Sequence, residues 1–114
     1  MGIIIIRRKA EKEEILEMLS ELGTIIKLAV DVERRILAGG GEYHSDCEEA
    51  LLIDGSKQDN VWGADWEPEN RTVSFGAMIN IRPRLGKLGY ELEDKNLRIL
   101  IENIVRDFLD IDRQ

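Results

Sequence analysis

Between Glu42 and Glu49 the chain reads Glu-Tyr-His-Ser-Asp-Cys-Glu-Glu, a stretch that holds its single histidine, His44, and its single cysteine, Cys47. If this segment is extended, Glu42, His44 and Asp46 project from one side at the period of two of a strand. An imidazole between two carboxylates is a ligand set for a divalent metal, with positions left open for water or substrate. The same residue types can also pair as an oriented general base. A plainer alternative has Asp46 capping or turning the chain after Gly39-Gly40-Gly41, with His44 as a surface hydrogen-bonder. Cys47 has no nearby base except His44, so a buried thiol is expected rather than a nucleophile.

Two further groups carry charge or hydrogen-bonding capacity. Asp54-Gly55-Ser56-Lys57-Gln58 places a hydroxyl, an ammonium and an amide beside a glycine. Such a set can cradle a phosphate or carboxylate through backbone N–H groups. The second glycine and the following helix of a P-loop are missing, and a turn with a solvated Lys57 is the simpler reading. Asn80, Arg82, Arg84 and Lys87 form a local positive island in an acidic chain. Arginine forks suit carboxylates and phosphates, yet the same side chains can pair with neighbouring acids. Trp62 and Trp66, four apart, share one side of a strand and serve a core, an interface or a ligand wall.

These groups need elements to hold them. Residues 3–8 read as a buried strand of β-branched residues. Ile15, Met18, Leu19 and Leu22 fall at helical spacing between Ala10 and Leu22, and Gly23 is placed to end that helix in a left-handed conformation. Residues 25–38 fit both a strand and a helix; a hairpin turning near residues 33–35 is preferred because β-branched residues dominate its first half. Residues 50–53 are a short apolar run closed by Asp54-Gly55, and 61–66 read as another strand. Residues 72–82 alternate most clearly: Val73, Phe75, Ala77, Ile79 and Ile81 on one face, Asn80 and Arg82 on the other, with Pro83 as the stop. A final helix is expected from Lys95 to Leu109, with Asp94 as its N-cap. This order predicts an α+β fold: a mostly antiparallel sheet of about five strands, with N-terminal and C-terminal helices packed on one face.

The 114 residues suit one domain, spanning residues 1–114, and a hydrophobic fraction of 43% is enough for a core. No apolar run is long enough for a membrane span, and Ile3–Ile6 is too short for a signal-peptide core, so a cytoplasmic location is expected. One Cys and one His cannot build a Cys/His zinc site within the chain. A net charge of −7 argues against general nucleic-acid binding. The lean toward Ile, Glu, Arg and Lys resembles heat-adapted proteins.

The string Asp54-Gly55-Ser56-Lys57-Gln58, followed by Trp62-Gly63 and Ile79-Asn80-Ile81-Arg82-Pro83, resembles a family of short prokaryotic proteins catalogued only as a domain of unknown function. Val30-Asp31-Val32-Glu33 and Gly40-Gly41-Glu42 with His44 fit the same pattern, from Ile3 to about Arg82. The chain departs from it at Arg35, where a glycine is expected in the turn, and in a bulkier stretch around Gly41–Asp46. The resemblance implies no activity; it implies that the marked segments belong together.

Three functional classes follow. The favoured one is a binding or regulatory module for a small anionic ligand or a partner's acidic segment, with Lys57, Gln58, Trp62, Asn80, Arg82 and Arg84 as the site. The alternative is a small metal-assisted hydrolase of a phosphate-bearing substrate, with Glu42, His44 and Asp46 holding the ion. The third is a structural subunit of a homo-oligomer. No nucleophile elbow, His-Glu-x-x-His or dinucleotide fingerprint is present.

Overall fold

The computed structural model of the chain describes residues 2–111. In chain order the elements are β1 (Ile4–Ile6), α1 (Lys12–Leu19), β2 (Ile26–Asp31), β3 (Ile36–Gly39), α2 (His44–Ile53), β4 (Val61–Glu67), β5 (Thr72–Ser74) and α3 (Lys95–Leu109). The five strands form one antiparallel sheet in the order β1-β3-β2-β4-β5. The fold is α+β.

Local chemistry explains most boundaries. Glu11 and Glu14 close a capping box at the start of α1, Glu14 Oε1 accepting from the Glu11 N–H at 2.8 Å. α1 ends at Leu19 with Ser20 as its C-cap, short of the expected Leu22; Gly23, with φ +89°, then donates its N–H to the Leu19 carbonyl at 2.7 Å and turns the chain toward β2. Residues 26–39 are the expected hairpin. Its turn is built by Asp31, whose Oδ1 accepts from the N–H groups of Glu33 and Arg34 at 2.9 and 3.0 Å. Arg35 stands in the left-handed region with φ 55°, the place where glycine is at home. Asp94 Oδ1 accepts from the Leu97 N–H at 3.1 Å and caps α3.

Alternation along the strands divides two cores. Leu28, Val30, Trp62 and Trp66 face Ile15 and Met18 of α1 and Ile101, Ile104 and Val105 of α3. Ala29, Ala38, Ile36 and Val61 face the other way, against Cys47 and Leu51 of α2. The centre of this second face is made by Ala38 and Ala29 in register, so α2 packs close over small side chains.

Three expectations need correction. Helices do not cover one face alone: α1 and α3 cover one and α2 the other. Residues 42–49 are not extended, and 50–53 are not a strand; His44 to Ile53 is a single helix. Its inward positions, Cys47, Glu48 and Leu51, are helically spaced, but only two are apolar, so the pattern is faint. Nor do residues 72–82 form one strand. After Ser74 the chain leaves β4, pairs Gly76 with Glu91, and closes a short 3-10 turn at Met78–Asn80.

Candidate functional site

Where β5 ends, side chains take over its work. The backbone groups of Asp65 and Glu67 on β4 pair with β5, and those of Gly63 and Val61 point to the same, now vacant, edge. Asn80 fills it: Oδ1 accepts from the Gly63 N–H at 2.8 Å and Nδ2 donates to the Gly63 carbonyl at 3.1 Å. Nδ2 also reaches the carbonyls of Phe75 and Tyr90 at 3.1 and 3.3 Å. Further along the edge, Arg82 donates to the Val61 carbonyl through Nη2, to Gln58 at 3.1 Å and to Ile79 at 2.9 Å. A Cβ on Gly63 would overlap the Ala77 Cβ, so glycine is what lets this segment close on β4.

Arg82 is a keystone in a second sense. Its guanidinium lies 4.2 Å from the centre of the Trp62 ring, with the Lys87 ammonium at 6.0 Å from the same centre. Glu48 of α2 sits 3.9 Å from Arg82 Nη2 and accepts from Gln58 Nε2 at 3.2 Å. Burial pulls the Arg82 pKa below its ordinary value, opposed by the charges of Glu48 and Asp59. Of the predicted ligand-binding residues, Gln58, Trp62, Asn80 and Arg82 are thus brought together, but mainly to one another. Asn80 is fully buried and Trp62 is 4% exposed. Lys57 and Arg84 remain exposed.

Beyond this frame the chain projects. Reciprocal hydrogen bonds between the backbones of Arg82 and Lys87, at 2.7 and 3.0 Å, pinch off a loop with a 3-10 turn at Pro83–Leu85. Met78 (73% exposed), Leu85, Leu88 (74%) and Tyr90 stand in solvent along it. Residues 78–90 carry Arg82, Arg84 and Lys87 and no carboxylate, in a chain with 23 acidic and 16 basic residues. The loop is basic and apolar where the chain as a whole is acidic.

His44 stands elsewhere, on the first turn of α2. Its Nε2 lies 2.7 Å from Asp65 Oδ1, both side chains are largely buried, and the contact ties the start of α2 to β4. Asp65 in turn faces Lys27 across the sheet, and the Lys27 ammonium lies over the Tyr43 ring at 5.7 Å. The geometry behind the expected Glu42–His44–Asp46 set is not the one adopted, because two residues along a helix turn a side chain to another face. Among the described residues no three His, Cys, Asp or Glu side chains are grouped so as to hold a metal ion. Cys47 is buried, with its thiol pushed up to about 11 chiefly by burial, far from a nucleophile's range.

Sequence reasoning missed Glu48, Asp65 and Asp31. Glu48 lies four residues after His44, the one signal that both belong to a helix. Asp65 alternates with the two tryptophans of β4 and so faces α2, but its partner His44 is distant in sequence. Asp31 is fully buried, with Oδ2 free of any partner among the described residues.

Residues 4–108 match the family described as "Protein of unknown function (DUF5674)". The chain belongs to this family. No curated protein and no solved structure matches it. Family membership therefore fixes no activity, and the geometry has to carry the reading. Among the described residues no helix is long and apolar enough to cross a membrane.

Proposed function

We propose that the chain is a cytoplasmic protein-recognition module whose loop 78–90 docks an acidic segment of a partner protein. The observation that carries this reading is the division of labour within the loop. Asn80 and Arg82 direct their polar groups to backbone inside the fold, while Met78, Leu85, Leu88, Tyr90 and Arg84 are turned outward and Lys87 stands half-exposed beside them. A small anion needs several converging donors. Arg82, the strongest donor here, already serves three carbonyls. Apolar side chains beside cations instead match a peptide that alternates carboxylates with apolar residues, the cations steering encounter and the apolar groups supplying affinity. Met78, Leu85, Leu88 and Tyr90 put exposed apolar area on the same segment as these cations.

The test is a fluorescence-anisotropy titration with a labelled peptide of alternating Glu and Leu, at two salt concentrations. Binding that weakens with salt, is lost in Leu88→Asp, and falls in the Arg84→Glu, Lys87→Glu pair at unchanged melting temperature supports the module. Displacement of the peptide by millimolar phosphate would return the reading to a small-anion site. A concentration-dependent dimer disrupted by the same substitutions would identify a second copy of the chain as the partner.

A further inference from the structure

Of the two strands that end the sheet, β5 reads Thr-Val-Ser and β1 reads Ile-Ile-Ile. The Gly40 N–H donates to the Lys27 carbonyl at 3.2 Å, which fixes the sense of hydrogen bonding across the β2–β3 pair. Bonded and non-bonded pairs alternate in an antiparallel ladder, so Ala38 bonds to β2 while Leu37 and Gly39 turn to Ile6 and Ile4. The N–H and carbonyl of Ile5 therefore point away from the sheet, at its open edge. Among the described residues no other backbone group bonds to them, nor to those of Ile3 and Arg7 on either side. At the far side of the sheet Asn80 and Arg82 cover β4 where β5 stops. β1 has no proline or charged residue within it to keep another strand away.

The two ends of this edge carry opposite charge. Beside Ile3, the carboxylates of Glu21, Glu42 and Asp46 line one shallow depression. None of the three makes an ion pair among the described residues. The Lys27 ammonium lies over the Tyr43 ring. At the other end Arg8 is balanced by Glu14, but Arg7 and Arg34 share the one carboxylate of Asp54, at 2.7 and 2.8 Å, and this corner keeps a positive excess. Two such edges laid in opposite directions complement each other, acid meeting base at both ends of the seam. Laid in the same direction they set like against like.

We propose that two copies of the chain pair along β1, antiparallel and centred on Ile5, so that their sheets become one. About the two-fold axis each Ile5 gives its N–H to the carbonyl of the other, Ile4 lies opposite Ile6, and Ile3 lies opposite Arg7. Backbone bonds and apolar side chains supply the affinity, and the charged ends set the direction. The seam is at the opposite side of the sheet from loop 78–90 and involves none of its residues.

Sedimentation velocity of the full chain, from micromolar to millimolar concentration, tests this. A dimer is expected for the native protein and a monomer for Ile5→Pro with unchanged circular dichroism, since an edge strand accepts proline where the N–H faces outward. Arg7→Glu alone, and Glu21→Lys with Glu42→Lys, should each raise the dimer dissociation constant about tenfold or more, because like charges then meet at both ends. An equimolar mixture of these two variants should dimerise again, a result that decides the matter even where the proline variant does not fold. A native protein that stays monomeric throughout would overturn the second copy as occupant and leave the edge to a strand of another protein. A dimer undiminished in a folded Ile5→Pro, or lost only in Leu88→Asp, would overturn the seam. Failure of the mixture to dimerise would overturn the antiparallel pairing.

Discussion

The side-chain amide of Asn80 binds both the N–H and the carbonyl of Gly63, at 2.8 and 3.1 Å, and so takes the place of a strand residue at the open edge of β4. Removing it leaves the N–H and carbonyl of Gly63 without partners in the interior, while the carbonyls of Phe75 and Tyr90 keep the N–H groups of Leu92 and Ala77. Asn80→Ala should therefore cost about 3 kcal/mol or more. Urea unfolding monitored by circular dichroism measures this. Arg84→Ala, on the exposed loop, should stay within about 0.5 kcal/mol of the native protein. Comparable losses in the two variants would show that the edge frame is not what holds this segment.

Gly63 is the other half of that contact. An added Cβ would overlap the Ala77 Cβ and come 3.0 Å from Ile79 Cγ1, on opposing segments that have little room to yield. Gly63→Ala is expected to lower stability by about 1–3 kcal/mol through overpacking. A melting temperature equal to the native one would mean that residues 75–80 retreat freely from the sheet.

Arg35 works in the reverse direction. Its φ of 55° places it in the left-handed region. That conformation costs a side chain about 1–2 kcal/mol and glycine almost nothing. Its ion pair with Asp107, at 3.3 Å between exposed groups, returns little. Arg35→Gly should gain up to about 1 kcal/mol after the larger unfolded-state entropy of glycine is counted. The check is a rise in melting temperature at fixed pH; a fall would assign the Asp107 pair more weight than exposure allows.

Cys47 makes stability depend on alkaline pH. Burial raises the thiol to about 11 in the native protein, against an ordinary value of 9.0. Below pH 9 both native and unfolded chains hold the proton, and the group contributes no pH dependence. Between about pH 9 and 11 the unfolded chain releases it and the native chain keeps it. Native stability should fall across that window by up to about 2–3 kcal/mol. Cys47→Ala should flatten that part of the profile, and the native thiol should resist alkylation at pH 8 until the protein unfolds.

The parts of this fold that were legible in sequence are those where one period ran long enough to be counted. Ile15, Met18 and Leu19 announce α1, the alternation of residues 26–30 and 61–66 marks β2 and β4, and Asp94 caps α3 as its type and place suggest. The second helix escaped because one of its three inward positions, Glu48, is charged. Against the small residues Ala29 and Ala38 it needs little bulk, and Glu48 gives one inward position to Gln58 and Arg82. The 72–82 stretch misled for the opposite reason. Its alternation is real through Ala77, but it serves pairing with residues 90–92 rather than a long run beside β4. The positive island was legible as a cluster; that Asn80 and Arg82 would turn inward depends on where β5 stops, which no local pattern encodes. The partnership of His44 with Asp65 likewise joins residues 21 apart, and only the packing of α2 on the sheet brings them together.

Because the two backbone bonds between Arg82 and Lys87 shut the loop at its neck, residues 83–86 form an almost self-contained cassette. Selection can rewrite the tip, or lengthen it, without reopening the sheet beneath, just as an antibody framework tolerates new hypervariable loops. A library randomised between these two anchors would keep its scaffold while sampling new partners, making the neck, rather than the tip, the natural splice point for grafting a foreign recognition sequence.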